Sequence, residues 1–352
     1  MNLKYNTDLS GMNTFRMKVK AACLLEYDSA EELSGLLSDA RFSSELPLPL
    51  YHIGGGSNLL FTGDFPGTIL HSRIRFIEPV EDGDDVHVRV GSGVIWDEFC
   101  DWAASKGYWG AENLSLIPGE AGAAAVQNIG AYGKEVGDII ESVECLDIHD
   151  NRMVTVSAAD CGYGYRESRF KNDLKGRYIV TAVNVRLTKK YSPELDYGHV
   201  REALVQRYGS EVVEQQKLTP AQVREVIIDI RRNKLPAPEE TGSAGSFFRN
   251  PFVLPEQYAK VAKVAEKENL GPVPHFPGDD GLIKIPAAWL IEKCGWKGYV
   301  EGNAGVYKNQ PLVIINATGK ATPEEILALE SRIVASVQEK FGIMLRPEVE
   351  HI

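Results

Sequence analysis

Ser246, Arg166, Glu348 and two glycine-rich stretches are the parts of this 352-residue chain whose types and neighbours could do chemistry. Ser246 lies in "TGSAGSFFRNP", residues 241–251, among small side chains and directly before two phenylalanines. A nucleophile elbow needs glycine two positions to either side of the serine, and Ala244 and Phe248 stand there instead. No lysine follows three residues on, so neither familiar route to a covalent serine is open. A helix cap and a proton-handling hydroxyl remain as readings. Arg166 sits between Tyr165 and Glu167 in "CGYGYRESRFK", where a guanidinium forms either a plain ion pair or a bidentate clamp on a substrate carboxylate. Glu348 follows a proline in "LRPEVEHI" at the end of the chain, and in isolation reads as a solvated glutamate.

The glycines come in two runs. "LPLYHIGGGSNLLF" sets Gly54, Gly55, Gly56, Ser57 and Asn58 directly after a strand, where positive φ at the glycines would turn successive N–H groups toward an anion. A ligand-free tight turn is an equal reading of that run. "SLIPGEAGAAAVQNIGAYG", residues 115–133, combines Pro118, Gly119, Gly122, Ala123, Gly130, Tyr132 and Gly133 with the hydrogen-bonding pair Gln127 and Asn128. Small side chains there let backbone approach a flat or phosphorylated cofactor, with the two amides directing it. It is not a Walker A loop, because Asn128 occupies the first glycine position and Glu135 the serine or threonine position.

These residues need elements to hold them. Ser29 with Glu32, Thr219 with Gln222, and Thr322 with Glu325 are capping-box pairs that start three helices, the last ending at Gly342. "PLYHI", "DVHVRVGSGV", "SVECLDI", "RMVTV" and "RYIVTAVNVRLT" read as strands, with a hairpin turn at "HDNR". This order predicts an α+β fold rather than a regular βαβ series. Residues 190–217 read as one long polar connection, of the kind that forms lids, and "KLPAPEETGSAG" reads as a domain crossing.

Composition narrows the function. A net charge of −11 argues against nucleic acid as a partner. No apolar run is long enough to span a bilayer, and the N-terminus lacks a signal-peptide core, so a cytoplasmic location is expected. Five scattered cysteines and seven scattered histidines give neither a disulfide framework nor a metal-ligand spacing.

Taken in order, "NTF" at 13–15, "GGGSNLLF", "SLIPGEAGAAAVQNIGAYG", "GYRESRFK", "AGSFFRNP" and "LRPEVEHI" resemble the UDP-N-acetylenolpyruvoylglucosamine reductase family over nearly the whole chain. The resemblance implies a two-part FAD-binding module of the vanillyl-alcohol oxidase (PCMH-type) superfamily, at 1–71 and 72–235. It further implies an α+β substrate-binding domain at 236–342, with the C-terminal strand 343–352 returning to the second flavin region. The glycine runs would hold FAD non-covalently, with NADPH as reductant, in a monomer. The implied reaction passes hydride by way of FAD to C3 of the enolpyruvyl group of UDP-N-acetylglucosamine enolpyruvate, yielding UDP-N-acetylmuramate for peptidoglycan. Ser246 would give the proton to C2, and Arg166 with a protonated Glu348 would stabilise the enolate. Tyr197, in a loop resembling the one that closes over substrate, would bind substrate together with Lys234, Asn250 and Gln310.

Three positions depart from the family pattern: Glu120 stands where a small residue is common, Ala125 where proline is common, and Tyr307 where histidine is frequent. Two other readings are an oxygen-using oxidase of the same superfamily, for which "IGGGSNLL" lacks a flavin tether, and a nucleotide-sugar binder without catalysis.

Overall fold

The β-branched run "RYIVTAVNVRLT" becomes the strand Tyr178–Thr188, in the middle of a five-stranded antiparallel sheet. Its neighbours are Ile140–Asp147 and Asp85–Gly91, with Arg152–Ser157 and Ile77–Asp82 at the edges. Val183 lies opposite both Val143 and Val90, and all three are buried. Cross-strand pairs of β-branched side chains of this kind stabilise such a ladder. The turn at "HDNR" joins Asp147 to Arg152 as the sequence predicts, with Asn151 at φ 47°.

Against this sheet packs the helix Trp96–Ser105, which buries Trp96, Phe99, Cys100 and Ala103 at helical spacing. The short helix Ala121–Gln127 joins the same core through Ala121, Ala124 and Ala125. A second sheet runs in the order Asn2–Asp8, Lys20–Tyr27, Phe65–Ser72, Leu50–Ile53, the last two being parallel. Most of these elements belong to one compact unit, Met1–Thr7, Ala21–Gly55 and Pro66–Arg231. This computed structural model describes residues 1–39 and 44–352.

The other unit comprises Asp8–Lys20, Gly56–Phe65 and Arg232–Ile352. Its antiparallel sheet runs Gly242–Ser243, Ile314–Asn316, Ala304–Val306, Val300–Glu301. The helix Pro323–Phe341 starts in the capping box of Thr322 and Glu325 and ends at Gly342, in the left-handed region. Glu350–His351 runs parallel to Leu59–Leu60; the resemblance sends this strand to 72–235 instead.

Two expectations need correction. Residues 190–217 are not one irregular connection, because they contain the helices Val200–Tyr208 and Ser210–Glu214. Val200, Leu204 and Val213 bury against Val223, Val226 and Ile227 of the next helix, an apolar contact too sparse to stand out among the polar residues. At the first helix Ser29 accepts from the Glu32 N–H, but Glu32 reaches back to the N–H of Asp28 rather than to that of Ser29. No described helix is long and apolar enough to cross a membrane.

The helix Pro220–Lys234 is tied down by a fork. Arg224 donates to both oxygens of Asp97, at 2.6 and 3.0 Å, and the Leu116 N–H donates to Asp97 as well. Burial pushes the Asp97 pKa up, but these bonds and charges outweigh it and hold the carboxyl below its ordinary value. Asp97→Ala leaves Arg224 with only its bond to the exposed Asp101 and should lower stability by about 3 kcal/mol in urea unfolding. A depressed carboxyl contributes stability above its ordinary pKa and loses it as pH falls through the folded value. The gap between wild type and variant should therefore close below about pH 4.

Candidate functional site

The glycine run at 54–56 does not work as the sequence suggests. Of the three, only Gly56 has positive φ, at 61°. Gly54 is needed for close approach instead, since a Cβ there would lie 2.9 Å from Ala123 Cβ, while one on Gly55 would make ordinary contact 3.4 Å from Gly119 Cα. In the first unit the two glycine-rich stretches therefore lie backbone against backbone. Gly56, in the second unit, is held by "NTF": its carbonyl accepts from the Thr14 N–H, and a Cβ would strike the Met12 carbonyl. Asn58, also in that unit, donates to the Glu348 carbonyl at 3.3 Å, and its own carbonyl accepts from the Glu350 N–H.

The stretch 115–133 positions an arginine. Asn128 closes the helix Ala121–Gln127 in the left-handed region and is almost fully buried. Its carboxamide is committed to the protein, donating to Glu135 and to the Gly164 carbonyl and accepting from the Gly137 N–H. Asn128 therefore shapes the loop. Arg166 then donates to the carbonyls of Asn128, at 3.3 Å, and Gly130, at 2.6 Å, with its guanidinium 5.6 Å from the Tyr165 ring. A Cβ on residue 130 would come within 2.8 Å of Arg166 Nη1, so only glycine admits the fork. Arg166 itself has φ 57°, and Lys171 donates to its carbonyl.

The same stretch meets the tyrosine loop. Gly133 packs against Tyr197 and Glu194, while Asn113 donates to the carbonyls of both Tyr132 and Glu194. Asn113 is a positioning residue that sequence reasoning missed. The Tyr197 side chain is exposed. Gly122 packs on Ser92, and Pro118 and Gln127 border the short helix.

Arg231 was missed as well. Its Nε is buried with no hydrogen-bond partner among the described residues. Burial pulls its pKa below the ordinary arginine value, against the charges of Tyr132 and Asp97, and Arg166 adds to the pull. A partly buried guanidinium with an unpartnered nitrogen is costly unless an anion completes it. Its signal in the sequence is the spacing from Arg224 to Arg231, seven residues along one helix, which sets both on the same face. Residues suited to FAD are thus present: a close-packed glycine cradle, and cationic donors beside Tyr132.

In the second unit the serine question is answered in part. No helix begins near Ser246; the next starts at Pro255, so the residue is not a helix cap. Gly245 has φ 70° with open space around it, which turns the chain just before the serine. Two extended segments then pair: Glu348 N–H donates to the Phe247 carbonyl at 2.8 Å and Arg249 N–H to the Arg346 carbonyl at 3.0 Å. Phe247 therefore lies opposite Glu348 in this ladder, and Ser246 is the residue just before it. Phe247 and Phe248 are buried, Phe247 edge-on to Phe15 at 6.2 Å. Asn250 accepts from the Ala287 N–H, Gln310 from the Leu312 N–H, and Lys234 ends its helix exposed.

Residues 237–352 match the family model described as UDP-N-acetylenolpyruvoylglucosamine reductase, C-terminal domain, and residues 21–157 match an FAD binding domain. The chain is 48% identical over 353 residues to the UDP-N-acetylenolpyruvoylglucosamine reductase of Bacteroides fragilis (strain YCH46), covering 100% of each chain. The protein of that name from Chromobacterium violaceum is 41% identical over 350 residues, 99% of this chain and 98% of the relative. The crystal structure of UDP-N-acetylenolpyruvylglucosamine reductase from Thermus caldophilus shares the fold, with a TM-score of 0.65 over 99% of this chain and 98% of that one, at 23% identity. Matched along its whole length, with the glycine cradle and the serine ladder both in place, the chain belongs to the UDP-N-acetylenolpyruvoylglucosamine reductase family of FAD-dependent oxidoreductases.

Proposed function

We propose that the protein reduces UDP-N-acetylglucosamine enolpyruvate to UDP-N-acetylmuramate with NADPH, a cytoplasmic step of peptidoglycan precursor synthesis. The observation that carries this reading is the ladder that pairs Glu348 with Phe247, the residue that follows Ser246. Full-length similarity to proteins named for that reaction supports it. FAD, when bound, supplies the hydride. The chain's own residues do the rest.

In this reading the diphosphate of FAD lies along Gly54, Gly55, Gly56, Ser57 and Asn58, and its ring system along the 118–133 stretch. Residues 1–71 and 72–235 form the flavin module and 236–342 the substrate domain, in a monomer. Arg166, its plane fixed by the Asn128 and Gly130 carbonyls, binds the substrate carboxylate with its guanidinium. Arg231 completes the cationic environment in which enolate charge develops. Glu348 acts as a neutral acid on the same charge, because an ionised carboxylate would repel it. Ser246 then delivers the proton to C2; a hydroxyl is a weak acid, and a strongly basic enolate makes the transfer feasible. Tyr197, Lys234, Asn250 and Gln310 hold the nucleotide sugar.

Ser246→Ala separates the two halves of the reaction. NADPH should still bleach the bound flavin in the absence of substrate, while steady-state turnover falls by about 10²- to 10⁴-fold. Equal loss of both, or turnover near the wild-type rate, would overturn the proton-donor role. Arg231→Met should lower kcat/KM by about 10²-fold. The same substitution should raise the stability of the flavin-free protein by about 1 kcal/mol, since it removes a partly buried charge with an unpartnered nitrogen. Thermal unfolding that shows the variant less stable would mark Arg231 as a structural residue instead.

A further inference from the structure

Glu120 has no part in the chemistry above, and the family resemblance leads one to expect a small residue there. It occupies the N-cap position of Ala121–Gln127, yet its carboxylate makes no capping bond. One oxygen lies 2.9 Å from His71 Nε2, and the other would be 3.3 Å from a Cβ on Gly54. His71 lies directly opposite Ile53 across the parallel strands, so it stands where the glycine loop leaves the sheet.

On the other side of the imidazole, Glu26 Oε1 is 3.6 Å from Nδ1. Glu26 Oε2 accepts from Asn2 and lies 3.6 Å from Lys4 Nζ. Side-chain exposures of 16% for His71, 12% for Glu120 and 17% for Glu26 make this a largely buried row of charges, screened little by water. His52, from the strand Leu50–Ile53, also faces His71; burial and then the His71 charge take its pKa down to about 3, so it stays neutral.

An ionised carboxylate over the first glycine opposes a diphosphate on that loop, and a protonated imidazole beside it cancels the opposition. We propose that Glu120 and His71 form a proton-dependent brace on the diphosphate-binding loop, so that the grip on FAD depends on whether His71 carries its proton. The inference rests on the reading that the FAD diphosphate lies along Gly54 and Gly55.

The sign follows from the surroundings of the imidazole. Burial alone lowers the His71 pKa, but the hydrogen bond and charge of Glu120, with the nearby carboxylate of Glu26, outweigh it and raise the pKa above its ordinary value. His71 therefore keeps its proton to a higher pH than a free histidine. As pH climbs through the raised value the proton leaves, Glu120 is no longer neutralised, and FAD is held less tightly. By linkage, bound diphosphate raises the His71 pKa further, and FAD release liberates a proton.

The test uses full-length holoprotein diluted from about pH 6 to about pH 9, with release followed by flavin fluorescence. Wild-type release should accelerate by about tenfold across one proton titration. Glu120→Gln should release slowly at every pH, having no charge to unmask, and His71→Gln should release fast at every pH. Glu26→Gln should move the wild-type midpoint to lower pH, which tests the brace even if His71→Gln does not fold. Release independent of pH in wild type, or an undiminished pH slope in Glu120→Gln, overturns the brace and leaves the cofactor reading standing. Protein that purifies without flavin overturns the cofactor reading, and the brace with it.

Discussion

The contact on which the flavin-binding unit turns is the fork of Arg166 on the carbonyls of Asn128 and Gly130. It exists only because residue 130 has no side chain to occupy the space of the guanidinium. Around it the loop is fixed from within. Asn128 adopts a left-handed turn and binds three parts of the chain with one carboxamide, and Asn113 ties Tyr132 to the tyrosine loop. Buried amides whose N–H donors are all committed make such a loop stiff, since each broken bond would leave an orphan in a poorly hydrated place. A stiff loop holds the arginine plane in place, and under the proposed function such preorganisation is where electrostatic catalysis gains most.

The second unit applies the same logic with different means. There a backbone ladder, not a side-chain network, fixes the register of Phe247, just after Ser246, against Glu348. Phe15, Phe247 and Phe248 are buried beside the ladder and pack ring against ring, an apolar backing. Thr14 joins this backing to the glycine run, donating through its hydroxyl to the Ser243 carbonyl while its N–H donates to Gly56.

Much of the architecture was legible because its signals are local. The capping boxes at Thr219 and Thr322, the hairpin at "HDNR" and the β-branched strand Tyr178–Thr188 each follow from neighbours a few residues apart. Less was legible where burial depends on a distant partner. The helices within 190–217 carry few apolar residues, and their burial requires the face of Pro220–Lys234. Trp96–Ser105 has a clear apolar stripe in its sequence but no capping side chain to announce it. Gly54 and Gly55 looked like turn formers, since nothing nearby in sequence reveals that Ala123 and Gly119 lie against them.

The sequence by itself determined the order of motifs, the α+β alternation and the chemical types of Arg166, Ser246 and Glu348, because each of these is written in residue identity and short spacing. Tertiary structure alone decided which contacts those residues make. Arg166 depends on a gap at Gly130, Arg231 is unpaired only once its helix is pinned by Asp97, and Glu120 acquires a partner only when His71 arrives from another strand. Each of these depends on the distance between groups far apart in the chain. Charge, burial and hydrogen bonding act through that distance, and the order of residues does not contain it.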